Sequence, residues 1–94
     1  MCDKKRGWEK MSVEEKVSDY ISRLEMYGGV EVYMRGIEKK LEIETLLGGG
    51  YEVRVYNVYG FLDENISFRI LSQFEEWLRN CVIKNDSLKK AGNE

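Results

Sequence analysis

IEKKLEIETLL, residues 37–47, is the stretch on which the fold turns. Its Glu, Lys and Leu residues are good helix formers, and a helix here would sit between two strands as a βαβ core. Against that, Leu41, Ile43, Thr45 and Leu47 alternate strictly with Glu42, Glu44 and Leu46, and no helical stripe of comparable quality can be drawn. We read a strand, with the helix as the alternative.

The same alternation extends to both sides. Val30, Val32 and Met34 alternate with Glu31, Tyr33 and Arg35, up to Gly36. After Gly48-Gly49-Gly50, which suits a hairpin loop because glycine takes positive φ freely, YEVRVYNVY (51–59) alternates again. The triple glycine leads into a strand and not into a helix N-terminus, so it is not a phosphate-cradling loop.

The strands are flanked by helical patterns. Ser12-Val13-Glu14-Glu15 has the form of a capping box. Behind it Val13, Val17, Tyr20, Ile21, Leu24 and Tyr27 fall on one stripe, and Gly28-Gly29 suits a helix end, so the spacing predicts a helix over 13–27. At the other end Ile66, Ile70, Leu71, Phe74, Trp77, Leu78, Cys81 and Val82 predict a helix over 66–83, capped by Asp63 or Asn65.

The expected fold is α+β, in the order α-β-β-β-α: a three-stranded antiparallel sheet with both helices on one face. Residues 1–11 read as a flexible basic segment, 12–84 as one domain and 85–94 as a frayed polar tail. The expected core is Val17, Ile21, Leu24, Val30, Val32, Leu41, Ile43, Val53, Val55, Ile70, Phe74, Trp77 and Leu78.

That order of elements resembles double-stranded-RNA-binding domains over most of the chain. The resemblance stops at the order: that family presents lysines at the start of its second helix, where this chain has Asp63-Glu64-Asn65-Ile66-Ser67-Phe68.

Composition narrows the function. The net charge is −2 and only the first ten residues, with Lys4-Lys5-Arg6, are basic, which disfavours a nucleic-acid partner. Histidine is absent, so the commonest general base and metal ligand are missing, and the hydroxyls and thiols of Cys2, Ser12, Thr45, Ser67, Ser72 and Cys81 lack their usual activator. Glu75 and Glu76 face different directions. Glu42 and Glu44 share a strand face about 7 Å apart, which is the geometry of a weak candidate metal-dependent hydrolase. The expectation is a non-enzymatic protein without metal or cofactor.

Two cysteines make no disulfide framework, and no apolar run reaches the roughly 20 residues of a membrane span or follows the basic start as a leader would. A cytoplasmic protein without membrane contact is expected. Abundant Glu and Lys with a single Gln lean towards a thermophilic source.

Two surfaces stand out as partner sites. The sheet face turned away from the helices would carry Glu31, Tyr33, Arg35, Glu42, Glu44, Leu46, Glu52, Arg54, Tyr56 and Val58. Tyr33, Arg35, Arg54 and Tyr56 are its candidate contacts for a protein, or in the alternative for a single-stranded nucleic acid. The last helix is too apolar for one small sheet, which suggests a homodimer through Phe68, Trp77 and Ile83, unless residues 60–64 and the segment around Trp8 cover it. The reading is a small protein-interaction module, a regulator or adaptor acting as a homodimer.

Overall fold

In a computed structural model, which describes residues 12–92, residues 39–45 of the 37–47 stretch form a strand and not a helix. Lys39–Thr45 (β2) buries Leu41 and Ile43 and turns Glu42 and Glu44 the other way. The segments 1–11 and 93–94, with the expectations placed on Cys2, Lys4–Arg6 and Trp8, lie outside the described residues.

Helix α1, Val13–Tyr27, begins as the capping box requires: Glu15 N–H donates to Ser12 Oγ at 3.1 Å, and Ser12 N–H donates to Glu15 Oε1 at 2.8 Å. It ends at Gly28, whose φ of 79° is left-handed and lets its N–H donate to the Leu24 carbonyl. β1, Gly29–Met34, follows at once; then come β2, β3 (Tyr51–Tyr56) and a fourth strand, β4 (Leu62–Phe68). Helix α2, Leu71–Gly92, closes the described chain. The sheet is an antiparallel meander in the order β1-β2-β3-β4.

The fourth strand corrects the sequence reading in three ways. The sheet has four strands, not three. Residues 66–70 are not helical, so neither Asp63 nor Asn65 caps α2. And helix α2 continues through Asn85 to Gly92, part of the stretch expected as a frayed tail. The physical reason is that Ile66 fits two patterns: it continues the helical stripe backwards, and it also alternates with Ser67 and Phe68 as a strand does, while Phe68 lies off the stripe. Pairing with β3 settles it, because a strand there satisfies the ladder groups of β3 and turns Ile66 and Phe68 towards α2. Ile70, expected in the core, is 54% exposed just before the helix, where its carbonyl accepts from Gln73 and Phe74 N–H. The order also departs from that of double-stranded-RNA-binding domains, since a strand occupies the matching acidic stretch.

Both helices lie on one sheet face. Between them and the strands Val17, Ile21, Leu24, Val32, Met34, Leu41, Ile43, Val53, Val55, Phe74, Leu78 and Val82 are buried, with Val30, Phe68, Trp77 and Cys81 half-buried around them. Met34 and Val82 are core residues missing from the expected set. Phe74 stacks on Tyr51 at 4.8 Å between ring centroids, and Phe68 sits 5.8 Å from Phe74 and 5.7 Å from Trp77. Among the described residues no buried side-chain polar atom lacks a hydrogen bond. No helix among them is long and apolar enough to cross a membrane.

Candidate functional site

The antiparallel register sets the open sheet face in rows. One row reads Glu31, Glu42, Arg54 and Asn65 across the four strands; its neighbour towards one end reads Gly29, Glu44, Glu52 and Ser67. Towards the other end the row is Tyr33, Lys40, Tyr56 and Leu62. The face is therefore divided into an acidic end and an aromatic end.

At the acidic end the carboxylates converge on one cation. Arg54 Nη2 lies 3.1 Å from Glu44 Oε2 and 3.4 Å from Glu42 Oε1, and its Nη1 lies 3.1 Å from Glu52 Oε1. Glu44, followed by Tyr56 and Glu42, holds the guanidinium in its charged form well above its ordinary range. Glu42 is the hub: it accepts from Arg54 and from Tyr56 Oη at 3.4 Å, and its other oxygen is 3.2 Å from Lys40 Nζ. Lys40, and next Arg54, depress the Glu42 carboxyl below the usual carboxylate range, and Glu42 in turn raises Lys40. Glu42 and Glu44 are thus tied to side-chain cations, and no group of three or more metal-ligating residues occurs among the described residues.

The aromatic end is built differently. Lys40 Nζ stands 5.0 Å from the centroid of the Tyr56 ring, a cation–π contact, and Lys40 separates Tyr33 from Tyr56 in the row. Tyr33, 69% exposed, lies about 10 Å from Tyr56 by strand spacing. A shallow concavity of about 850 Å³ runs over this end, lined by Tyr33, Arg35, Lys40, Glu42, Tyr56 and Val58 among others.

The β3–β4 turn extends the same surface. Asn57 organises it: its Oδ1 accepts from Tyr59 N–H at 2.9 Å and Phe61 N–H at 3.1 Å, its N–H donates to the Phe61 carbonyl, and Gly60 N–H returns to the Asn57 carbonyl. Four hydrogen bonds on Asn57 close the turn, yet it holds Tyr59 81% and Phe61 68% exposed, with Val58 and Leu62 beside them also exposed. A hairpin tip with four apolar side chains out of five or so positions is the reverse of ordinary turn composition.

Of the residues singled out from sequence, Tyr33, Arg35 and Tyr56 line the aromatic concavity, while Arg54 is taken up by the glutamates one row away. Phe68, placed by sequence on the last helix, is on β4. It packs with Trp77 and Phe74 inside the protomer, and of the expected dimer contacts only Ile83 stays exposed on α2. Residues 60–64 form the turn and the start of β4, and of them Glu64 lies beside Trp77 and Cys81 of that helix. Sequence reasoning missed Lys40, Leu62, Tyr59 and Phe61. The signal was present in Asn57-Val58-Tyr59-Gly60, an Asn-to-Gly turn followed by renewed alternation.

Comparison with protein-family models, with curated proteins and with solved structures finds no match to this chain.

Proposed function

We propose that this chain is a non-enzymatic protein-interaction module, a small regulator or adaptor acting as a homodimer, that grips a protein partner with the aromatic end of its open sheet face. One observation carries the reading: Tyr33 and Leu62 on the sheet and Val58, Tyr59 and Phe61 at the adjoining tip are all exposed, around a half-buried Tyr56 and beside an otherwise charged face. Contiguous exposed apolar surface with a charged rim is how protein contact sites are built, and tyrosine is enriched at their centres. The preorganised Asn57 turn lowers the entropy cost of ordering the contact.

A single-stranded nucleic acid could stack on Tyr33 and Tyr56, with Lys40 between them. The charge balance speaks for a protein instead. Arg54 is neutralised by Glu42, Glu44 and Glu52, so the cation that the alternative most needs is not turned outward.

The test is a comparison of polypeptides captured from an extract of the source cells by the native chain and by a Tyr59→Ser/Phe61→Ser variant. Polypeptides retained by the native chain after nuclease treatment and at raised salt, and lost with the variant, are expected. Capture that disappears with nuclease, or binding of a labelled oligonucleotide that falls steeply with salt, would give the surface to nucleic acid.

A further inference from the structure

The two edges of the sheet are made differently. β4 carries Asp63 and Glu64 and has a register irregularity opposite it, between Val55 and Tyr56, which are devices that discourage edge pairing. β1, Gly-Val-Glu-Val-Tyr-Met, has no bulge, no lysine, no proline and one charge, and among the described residues no strand pairs with its outer edge. A strand edge of this kind is a template for another strand.

We propose that β1 pairs antiparallel with β1 of a second copy of this chain, about a twofold axis through Tyr33, to form one continuous eight-stranded sheet. The proposal deepens the interaction-module reading by naming the partner at this edge and rests on that reading for its purpose.

The sequence of the edge selects this register. Opposed residues must point to the same face, so registers displaced by a single residue are excluded. An axis through Glu31 sets Glu31 against its own copy, and like charges directly opposite destabilise. With the axis at Val32, Glu31 meets Tyr33 and Arg35 meets Gly29, so neither charge is answered.

With the axis at Tyr33, Glu31 of each copy comes opposite the start of the other's β1–β2 turn, where Arg35 stands one residue past the strand, the two Tyr33 residues are opposed, and Val32 is opposed to Met34 on the helix side. Among the described residues neither Glu31 nor Arg35 has an ion-pair partner within its own protomer. Arg35, exposed at the start of the turn that follows β1, lines the same concavity as Tyr33. Glu-X-Tyr-X-Arg is therefore a charge pattern that complements itself under a twofold and no other single-strand symmetry at this edge.

The consequence reaches the contact surface. The row Tyr33, Lys40, Tyr56, Leu62 would continue through the axis into the same row of the second copy, doubling the aromatic end into one surface with a hairpin tip at each side.

Light scattering across a concentration series tests this on the full chain. The native protein is expected at twice the protomer mass. Glu31→Arg alone and Arg35→Glu alone set like charges against each other twice per dimer, so each should weaken self-association by roughly tenfold or more. Mixed in equal amounts, the two variants should recover the dimer, because each supplies the charge the other lost. The double variant Glu31→Arg/Arg35→Glu should dimerise by itself. Glu31 stands opposite Glu42 in its own sheet, so an arginine there meets an acid and the protomer should fold.

A native monomer at every concentration, a dimer untouched by either single variant, or no recovery on mixing would each overturn the pairing. These variants leave Tyr59 and Phe61 intact. A β1 dimer that captures no polypeptide would therefore refute the partner surface and leave the pairing, and a native monomer that captures one would refute the pairing and the homodimer and leave the partner surface.

Discussion

Asn85 in the later part of α2 and Gly36 in the β1–β2 turn are locked together: Asn85 Oδ1 accepts from Gly36 N–H at 2.6 Å and from Ile37 N–H at 3.2 Å. A Cβ on Gly36 would penetrate the Asn85 backbone carbonyl, so glycine is required here by close approach and not by its φ. The contact ties the helix to the turn that carries Arg35, and so holds the end of β1 in place.

Gly36→Ala should therefore destabilise the fold by about 1–3 kcal/mol, because backbone must move to admit the methyl. Asn85→Ala, which leaves two backbone N–H groups without their acceptor, should cost about 1–3 kcal/mol. Urea unfolding of both variants measures this, and a Gly36→Ala midpoint equal to the native one would show that the helix does not seat on the turn.

Phe74 should tolerate truncation worst. It is fully buried between Tyr51 and Phe68, and Phe74→Ala is expected to lose about 3–5 kcal/mol. Phe68→Ala, half-buried, should lose about 1–3 kcal/mol, whereas Ile83→Ala should stay within about 0.5 kcal/mol. Thermal or urea unfolding ranks the three. A Phe68→Ala variant of native stability would return that ring to the role of an intermolecular contact.

The cluster around Arg54 should make stability depend on pH in a defined direction. Glu42 has its carboxyl depressed by Lys40 and Arg54, so its contribution is present above the ordinary carboxylate range of about 4.3 and is lost as pH falls through the lowered value. Arg54→Met leaves Glu42, Glu44 and Glu52 facing one another with Lys40 the nearest remaining cation. Its unfolding midpoint should fall below the native one at neutral pH, and the gap should narrow as pH falls through the lowered Glu42 value and in high salt, where that carboxylate is protonated or the charges are screened. A gap that widens on acidification would refute the assignment.

Cys81 should be a slow thiol. Burial first, and then the Glu64 carboxylate, push it up to about 11. In a Cys2→Ser background, alkylation at about pH 8 should run roughly a hundredfold slower than for a free cysteine, and should accelerate as pH rises towards 11. A rate equal to that of unfolded protein would place the thiol in solvent.

Much of this could be read from the chain alone. The capping box at Ser12 and Glu15 and the glycine at 28 fixed α1, because capping is a matter of residues within one turn. Strict alternation through Leu41, Ile43 and Thr45 fixed β2 against the helix propensity of its Glu and Lys, because burying one face outweighs propensities worth a few tenths of a kcal/mol per residue. The charged and aromatic make-up of the open face followed from the same period of two.

What the tertiary structure alone decided involves residues distant in sequence. Ile66 satisfies a strand period and a helix period equally, and only the hydrogen-bond ladder of β3, with Phe68 packed beside it on the rings of Phe74 and Trp77, chooses between them. Arg54 was legible as a cation, but its neutralisation depends on the register that brings Glu42 and Glu44 of β2 against it. Asn85 looked like the start of a tail until the turn 49 residues before it supplied two N–H donors. Local patterns specify elements; which element a doubly fitting segment joins, and which charges remain free, is set by partners that only folding brings within reach.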